Sequence, residues 1–153
     1  APGLIPEHYE MQRLSGSREI LDFDYAESSI AASRFDAKRG KRSLELPLLP
    51  GTQDPLSSIY QLAMAAREDG EGILVAAGAK HVKGYPYRVL GMETLNTAFA
   101  SLKALHVTRS GDSGNSAVHL WLSPQHYYLP VRVTFVDDEG AEWVLEATRI
   151  DAE

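Results

Sequence analysis

A chain of 153 residues that is 44% hydrophobic and carries a formal net charge of -6 is long enough to bury one core without covalent staples, and a single domain over residues 1–153 is expected. The acidity argues against nucleic acid or an anionic membrane face as the main partner, since both reward concentrated Lys and Arg. The absence of cysteine excludes disulfides and thiolate zinc sites, and no apolar run approaches the roughly 20 residues that span a bilayer.

The chain opens at Ala1-Pro2-Gly3 rather than Met, and an upstream leader or segment is expected to have been removed, a signal peptide among the candidates. Period-2 alternation then dominates, broken by Gly, Ser, Asp or Pro clusters, so the fold class is expected to be mainly antiparallel β. The first hairpin is expected from His8 to Tyr25 around Ser15-Gly16-Ser17. That loop would set Met11 opposite Leu21, Tyr9 opposite Phe23 and Arg13 opposite Glu19, matching apolar with apolar and charge with countercharge. A second hairpin runs from Ser28 to Phe35, turns over Asp36 to Lys41 and returns through Leu44 and Leu46 to Pro47. Its tip, Lys38-Arg39-Gly40-Lys41-Arg42, is the one basic cluster in the sequence and reads as a solvated turn, with contact to an anionic polymer as the alternative.

The one clear helix begins after Gln53-Asp54-Pro55. Asp54 caps it, Pro55 takes the first helical position, and Leu56, Ile59, Tyr60, Ala63 and Met64 recur at helical spacing, with Leu62 and Ala66 widening the stripe. Gly70 or Gly72 ends it. Strands then follow over Gly72 to Ala77, Tyr85 to Met92, Leu102 to Arg109, Ala117 to Ser123, Leu129 to Val136 and Ala141 to Ile150. In the last hairpin, Asp138-Glu139-Gly140 suits a three-residue loop with Gly in the left-handed position. Phe135 then faces Trp143, Val133 faces Leu145, Val131 faces Ala147 and Arg132 faces Glu146.

Four segments resemble one family in order and spacing: Gly3-Leu4-Ile5-Pro6, Gln53-Asp54-Pro55-Leu56-Ser57, Leu120-Trp121-Leu122-Ser123-Pro124, and Tyr128-Leu129-Pro130-Val131-Arg132-Val133 with Asp138-Glu139-Gly140. The chain is similar over nearly its whole length to the domain of unknown function family numbered 3108. The resemblance implies a secreted, periplasmic envelope protein of Gram-negative bacteria, built as a curved antiparallel sheet or incomplete barrel wrapped around one α-helix. It brings no catalytic residue and no cofactor. Members of that family typically carry further strands before the first of these segments, so the strand from Glu7 to Leu14 is expected to present an edge that pairs with a second copy or an N-terminal fragment, unless the chain is a cleaved remnant of a longer domain.

The chemistry-bearing residues are few. Alternation around Leu105 and Val107 against Val118 and Leu120 puts His106 and His119 on one sheet face, directly opposite or one pair apart. Zinc asks for three or four protein ligands and no third is in reach of this pattern, so surface histidines are expected and no metal. His8, His81 and His126 stand alone. Asp137-Asp138-Glu139 lacks the ligand spacing of a calcium loop and reads as a hairpin tip. Gly111 to Gly114 lacks the Lys of a phosphate loop. Ser57, Ser58 and Ser123 have no assignable His and Asp to activate them, so no enzyme is expected. Trp121, which falls on the face away from Leu120 and Leu122, forms with Tyr127 and Tyr128 the best candidate for a ligand-facing patch, and outer-face packing is the competing reading.

Three functions follow in order of preference. The first is a non-enzymatic envelope module that binds or scaffolds an envelope component. The second is a carrier of lipid or another amphiphile in the cup of the sheet, and the third a hydrolase of cell-wall polymer.

Overall fold

The computed structural model describes residues 3–151. Over these described residues the chain is mainly β, as the alternation predicts, with one α-helix and two antiparallel sheets, neither closed into a barrel. Strands β1 (His8–Gln12), β2 (Arg18–Asp24), β3 (Ser29–Asp36) and β4 (Gly40–Pro47) form a four-stranded meander in that order. After α1 (Ser57–Glu68) come β5 (Glu71–Ala77), β6 (Val82–Asn96), β7 (Ser101–Ser110), β8 (Ala117–Ser123), β9 (Leu129–Val136) and β10 (Glu142–Glu146). They make a six-stranded sheet ordered β10-β9-β8-β7-β6-β5. The chain groups into two compact units, Ala1–Gln61 with Leu74–Gly84 and Leu62–Ile73 with Tyr85–Glu153.

In the first unit, one face of the meander carries the core. Tyr9 pairs with Leu21, Leu21 with Ala32, and Phe23 with Ile30, which in turn pairs with Leu46. Leu21, Ile30, Ala32, Leu46 and Ala77 form one buried cluster, with Tyr9, Phe23, Leu48 and Val82 packed on it. Tyr9 and Met11 are thus half-buried, although β1 is an edge strand of its sheet.

The first hairpin differs from the sequence expectation by two residues. Tyr9 lies opposite Leu21 rather than Phe23, and Met11 opposite Glu19 rather than Leu21. The loop is Leu14-Ser15-Gly16, closed by Arg13 N–H donating to the Ser17 carbonyl, with Gly16 at φ +88. A three-residue loop wants its left-handed residue last, and only Gly takes that conformation without strain. Placing Gly16 in the middle of the loop is what shifted the expected register. The last hairpin obeys the same rule and matches expectation: Gly140 sits at φ +87, and Phe135–Trp143, Val133–Leu145 and Arg132–Glu146 are pairs.

The helix starts as expected and buries a different stripe. Asp54 Oδ1 accepts from the N–H groups of Leu56 (2.7 Å) and Ser57 (2.8 Å), while Ser57 Oγ accepts from Asp54 N–H (3.0 Å). This reciprocal cap satisfies three donors at the helix entrance. Ser58, Leu62, Ala63 and Ala66 are the buried positions, whereas Leu56 and Tyr60 are exposed. The motif residue just before the cap ties down an earlier segment of the chain. Gln53 Nε2 donates to the Leu4 carbonyl (2.9 Å), and Leu4 N–H donates to Gln61 Oε1 (2.8 Å). Two of the four segments that carry the family resemblance therefore hold each other.

In the second unit, two irregularities re-aim side chains. β6 runs longer than the alternation suggests, over Val82–Asn96 rather than Tyr85 to Met92, and Leu90 is an extra residue between its Val89–Val107 and Gly91–His106 pairs, with Gly91 at φ +122. On β9, Val131 falls between the Trp121–Arg132 and Leu122–Pro130 pairs. Bulges of this kind let one strand serve two faces. Val131 duly joins Leu95, Leu102 and Ala104 in a buried cluster with Phe99, Trp121 and Ile150 packed against it.

Candidate functional site

His106 and His119 share one face as the sequence anticipates, and Trp121, expected on the face away from Leu120 and Leu122, joins them there. His106 pairs with Trp121, Trp121 with Arg132, and Arg132 with Glu146, giving one row across β7, β8, β9 and β10. The His106 ring stacks on the Trp121 indole at 4.4 Å and 14°, and the Arg132 guanidinium lies 5.7 Å from the indole centroid. Arg132 donates to Glu146 Oε2 from Nε (2.9 Å) and Nη2 (2.7 Å), and Glu146 Oε1 accepts from Ala98 N–H (3.0 Å). Those bonds hold the Glu146 carboxyl below the usual carboxylate range.

His119 sits one pair along, opposite Thr108, with its Nδ1 2.8 Å from His106 Nε2. Glu93 contacts His106 Nδ1. His106 thus lies between the Glu93 carboxylate at Nδ1 and the His119 ring at Nε2. Burial, then the neighbouring His106, push the His119 pKa below its ordinary value. Both nitrogens of His106 are engaged within the protein. Among the described residues no group of three His, Cys, Asp or Glu side chains is placed to hold a metal. The row is a self-satisfied cross-strand ladder, with Trp121 flanked on both sides by its own neighbours.

Tyr127 and Tyr128 do not join it. They follow the 3-10 turn Pro124–His126 with φ of 55° and 60°, a left-handed pair that costs about 1–3 kcal/mol per residue for side chains of this size. Tyr128 N–H donates to the Ser123 carbonyl (2.8 Å), and its ring lies under the Arg67 guanidinium at 4.4 Å. Tyr127 is exposed. Ser123, which the sequence left without a base, bonds through Oγ to His126 Nδ1 (2.8 Å). Its side chain is fully buried. Ser57 is part of the helix cap, and Ser58 Oγ donates to the Pro55 carbonyl (2.9 Å).

A site that the sequence reading missed lies at one end of the meander, in the first unit. A cavity of about 240 Å³ is lined by Arg13, Arg18, Arg34, Arg39, Arg42 and Lys80, with Glu19, Asp36, Met11 and Phe35 among its other walls. Strand register builds it. Met11, Glu19, Arg34 and Arg42 form one row across all four strands, so two arginines stand directly opposite each other. Like charges in that position are destabilising by a few tenths of a kcal/mol or more. Arg18 pairs with Glu10 at 2.6 Å. Asp36 Oδ1 is occupied by the N–H groups of Lys38 (2.9 Å) and Arg39 (2.7 Å), bonds that depress its pKa with help from the Arg39 and Arg42 charges. The five other cations of the cavity form no ion pair within 4.0 Å among the described residues. The only signal in the sequence was the tip 38–42. Arg13, Arg34 and Lys80 join it through strand pairing and the β5–β6 loop.

Fold and sites together define a two-sheet, one-helix antiparallel β protein, as far as its described residues show, with a basic cavity in its first unit. The sequence matches the family model described as protein of unknown function DUF3108 over residues 1–147, and the chain belongs to that family. No curated protein and no solved structure matches it.

Proposed function

We propose that this chain is a non-enzymatic binding module of the Gram-negative cell envelope, working in the periplasm, whose ligand is anionic and enters the basic cavity of the meander. The observation that carries the reading is the Arg34–Arg42 cross-strand pair within a cavity that gathers four further cations. An oxyanion bridging the two guanidinium groups would turn a repulsion into charge-assisted hydrogen bonds, and Arg is the side chain best shaped for that. The envelope location rests on family resemblance. The His106–Trp121–Arg132–Glu146 ladder serves as the rigid wall of the other sheet rather than as a ligand platform.

Inorganic pyrophosphate titrated calorimetrically into the 153-residue chain tests this. Saturable binding is expected that weakens with added salt and is lost in the Arg34→Gln/Arg42→Gln double variant. A flat titration at low ionic strength refutes the reading.

A further inference from the structure

The cavity does not sit in a pocket of otherwise neutral surface. Eight of the fifteen Lys and Arg residues lie in residues 13–19 and 34–42 or at Lys80, against two of the twenty-one Asp and Glu. The protein is acidic overall and strongly cationic at one end of one sheet. Register explains the concentration. Arg18 pairs with Phe35, and Asp36 pairs with Gly40, so the loop Leu14-Ser15-Gly16 and the loop Ala37-Lys38-Arg39 emerge side by side.

That end is also the place where an apolar side chain stands furthest into solvent. Leu14 at the tip of the first loop is fully exposed, and Phe35, in register with Arg18 and Lys41, is 48% exposed. A soluble anion would need the cations alone. A cationic rim around a protruding leucine matches the layered chemistry of a bilayer surface, where phosphate lies outermost and hydrocarbon beneath it.

We infer, building on the anion-binding reading above, that the two adjoining hairpin tips of the meander form a docking surface for an anionic lipid bilayer. Arg34 and Arg42 grip a headgroup phosphate in the cavity, and Leu14 enters the interfacial layer. The net charge of -6 does not oppose this. Screening confines electrostatics to about 8–10 Å at physiological salt. The membrane therefore senses the local cationic end rather than the net charge of the whole chain.

Flotation with liposomes of phosphatidylglycerol and phosphatidylcholine, against phosphatidylcholine alone, tests the inference on the full chain. Binding to the anionic liposomes only is expected. Each cation near such a surface changes affinity on the order of fivefold, so Arg34→Gln/Arg42→Gln should lower it roughly 25-fold. Leu14→Ser should weaken liposome binding severalfold while leaving pyrophosphate binding unchanged. Pyrophosphate binding without liposome binding overturns the lipid surface and leaves the anion cavity standing; failure of both probes overturns the two readings together. Liposome binding that is indifferent to Leu14→Ser, alongside equal affinity for a single-stranded RNA oligomer, overturns the inference in favour of a plain polyanion surface. Both variants change exposed or half-exposed side chains, and an unaltered thermal melt confirms that each remains folded.

Discussion

Removing the helix cap should show how much of the α1 entrance depends on one carboxylate. Asp54 is 6% exposed, and its Oδ1 is the partner of two backbone donors at 2.7 and 2.8 Å. In Asp54→Ala the N–H groups of Leu56 and Ser57 lose that acceptor, and Ser57 Oγ keeps only its own half of the reciprocal arrangement. Cap deletions span about 0.5–2 kcal/mol, and the burial here, which denies water easy access to the freed donors, places this one at about 1–2 kcal/mol. For a chain of this size each kcal/mol shifts the melting midpoint by about 2–4 °C, so a drop of about 2–8 °C is expected by calorimetry. Asp54→Asn retains an acceptor at the same place and should recover most of that loss. A melt unchanged in Asp54→Ala, or an Asn variant as unstable as the Ala one, would refute the capping argument.

Gly16 and Gly140 occupy the same left-handed position in two unrelated hairpins, so Gly16→Val and Gly140→Val should each destabilise by about 1–2 kcal/mol in urea denaturation; a neutral result at either site removes the shared loop rule. His119 contributes to pH dependence with a definite sign. Its folded pKa lies below the ordinary 6.5, through burial and then the neighbouring His106, so its contribution to stability is complete above about pH 6.5 and falls away as acid charges the ring. His8 acts in the opposite direction, its pKa raised chiefly by the hydrogen bond to Asp22, so its stabilisation is present below 6.5 and fades as pH rises through the folded pKa. His119→Gln should therefore flatten the loss of stability between pH 7 and pH 5 relative to wild type, and an unchanged profile counts against a neutral His119. If the edge of β1 pairs with a second copy, light scattering after size exclusion should show a concentration-dependent dimer, and a strict monomer at high concentration rejects that pairing.

Local chemistry carried much of the fold into the sequence. Strand periodicity located β8 and β9 at their observed bounds. Two independent pairings, Val133–Leu145 and Arg132–Glu146, fixed the last register before any long-range contact was considered. Asp54-Pro55 announced the helix because capping involves only residues within three positions of each other. The first hairpin failed on a local rule misapplied, since Gly16 itself held the information about which residue of the loop turns left.

The sites belong to a different scale. The His106–Trp121–Arg132–Glu146 row spans four strands, and the bulge at Val131 lies within the pairing that assembles it. An extra residue at a bulge leaves no mark in a period-2 pattern, so sequence could place His106 and His119 on one face without naming Arg132 as the neighbour of Trp121. The basic cavity is further out of reach. Arg34 and Arg42 are eight residues apart in sequence and directly opposite in space, and Lys80 arrives from another part of the chain. Net charge averages over the whole molecule, whereas a binding surface depends on where the charges stand, and only tertiary structure separates a cationic end from an acidic remainder.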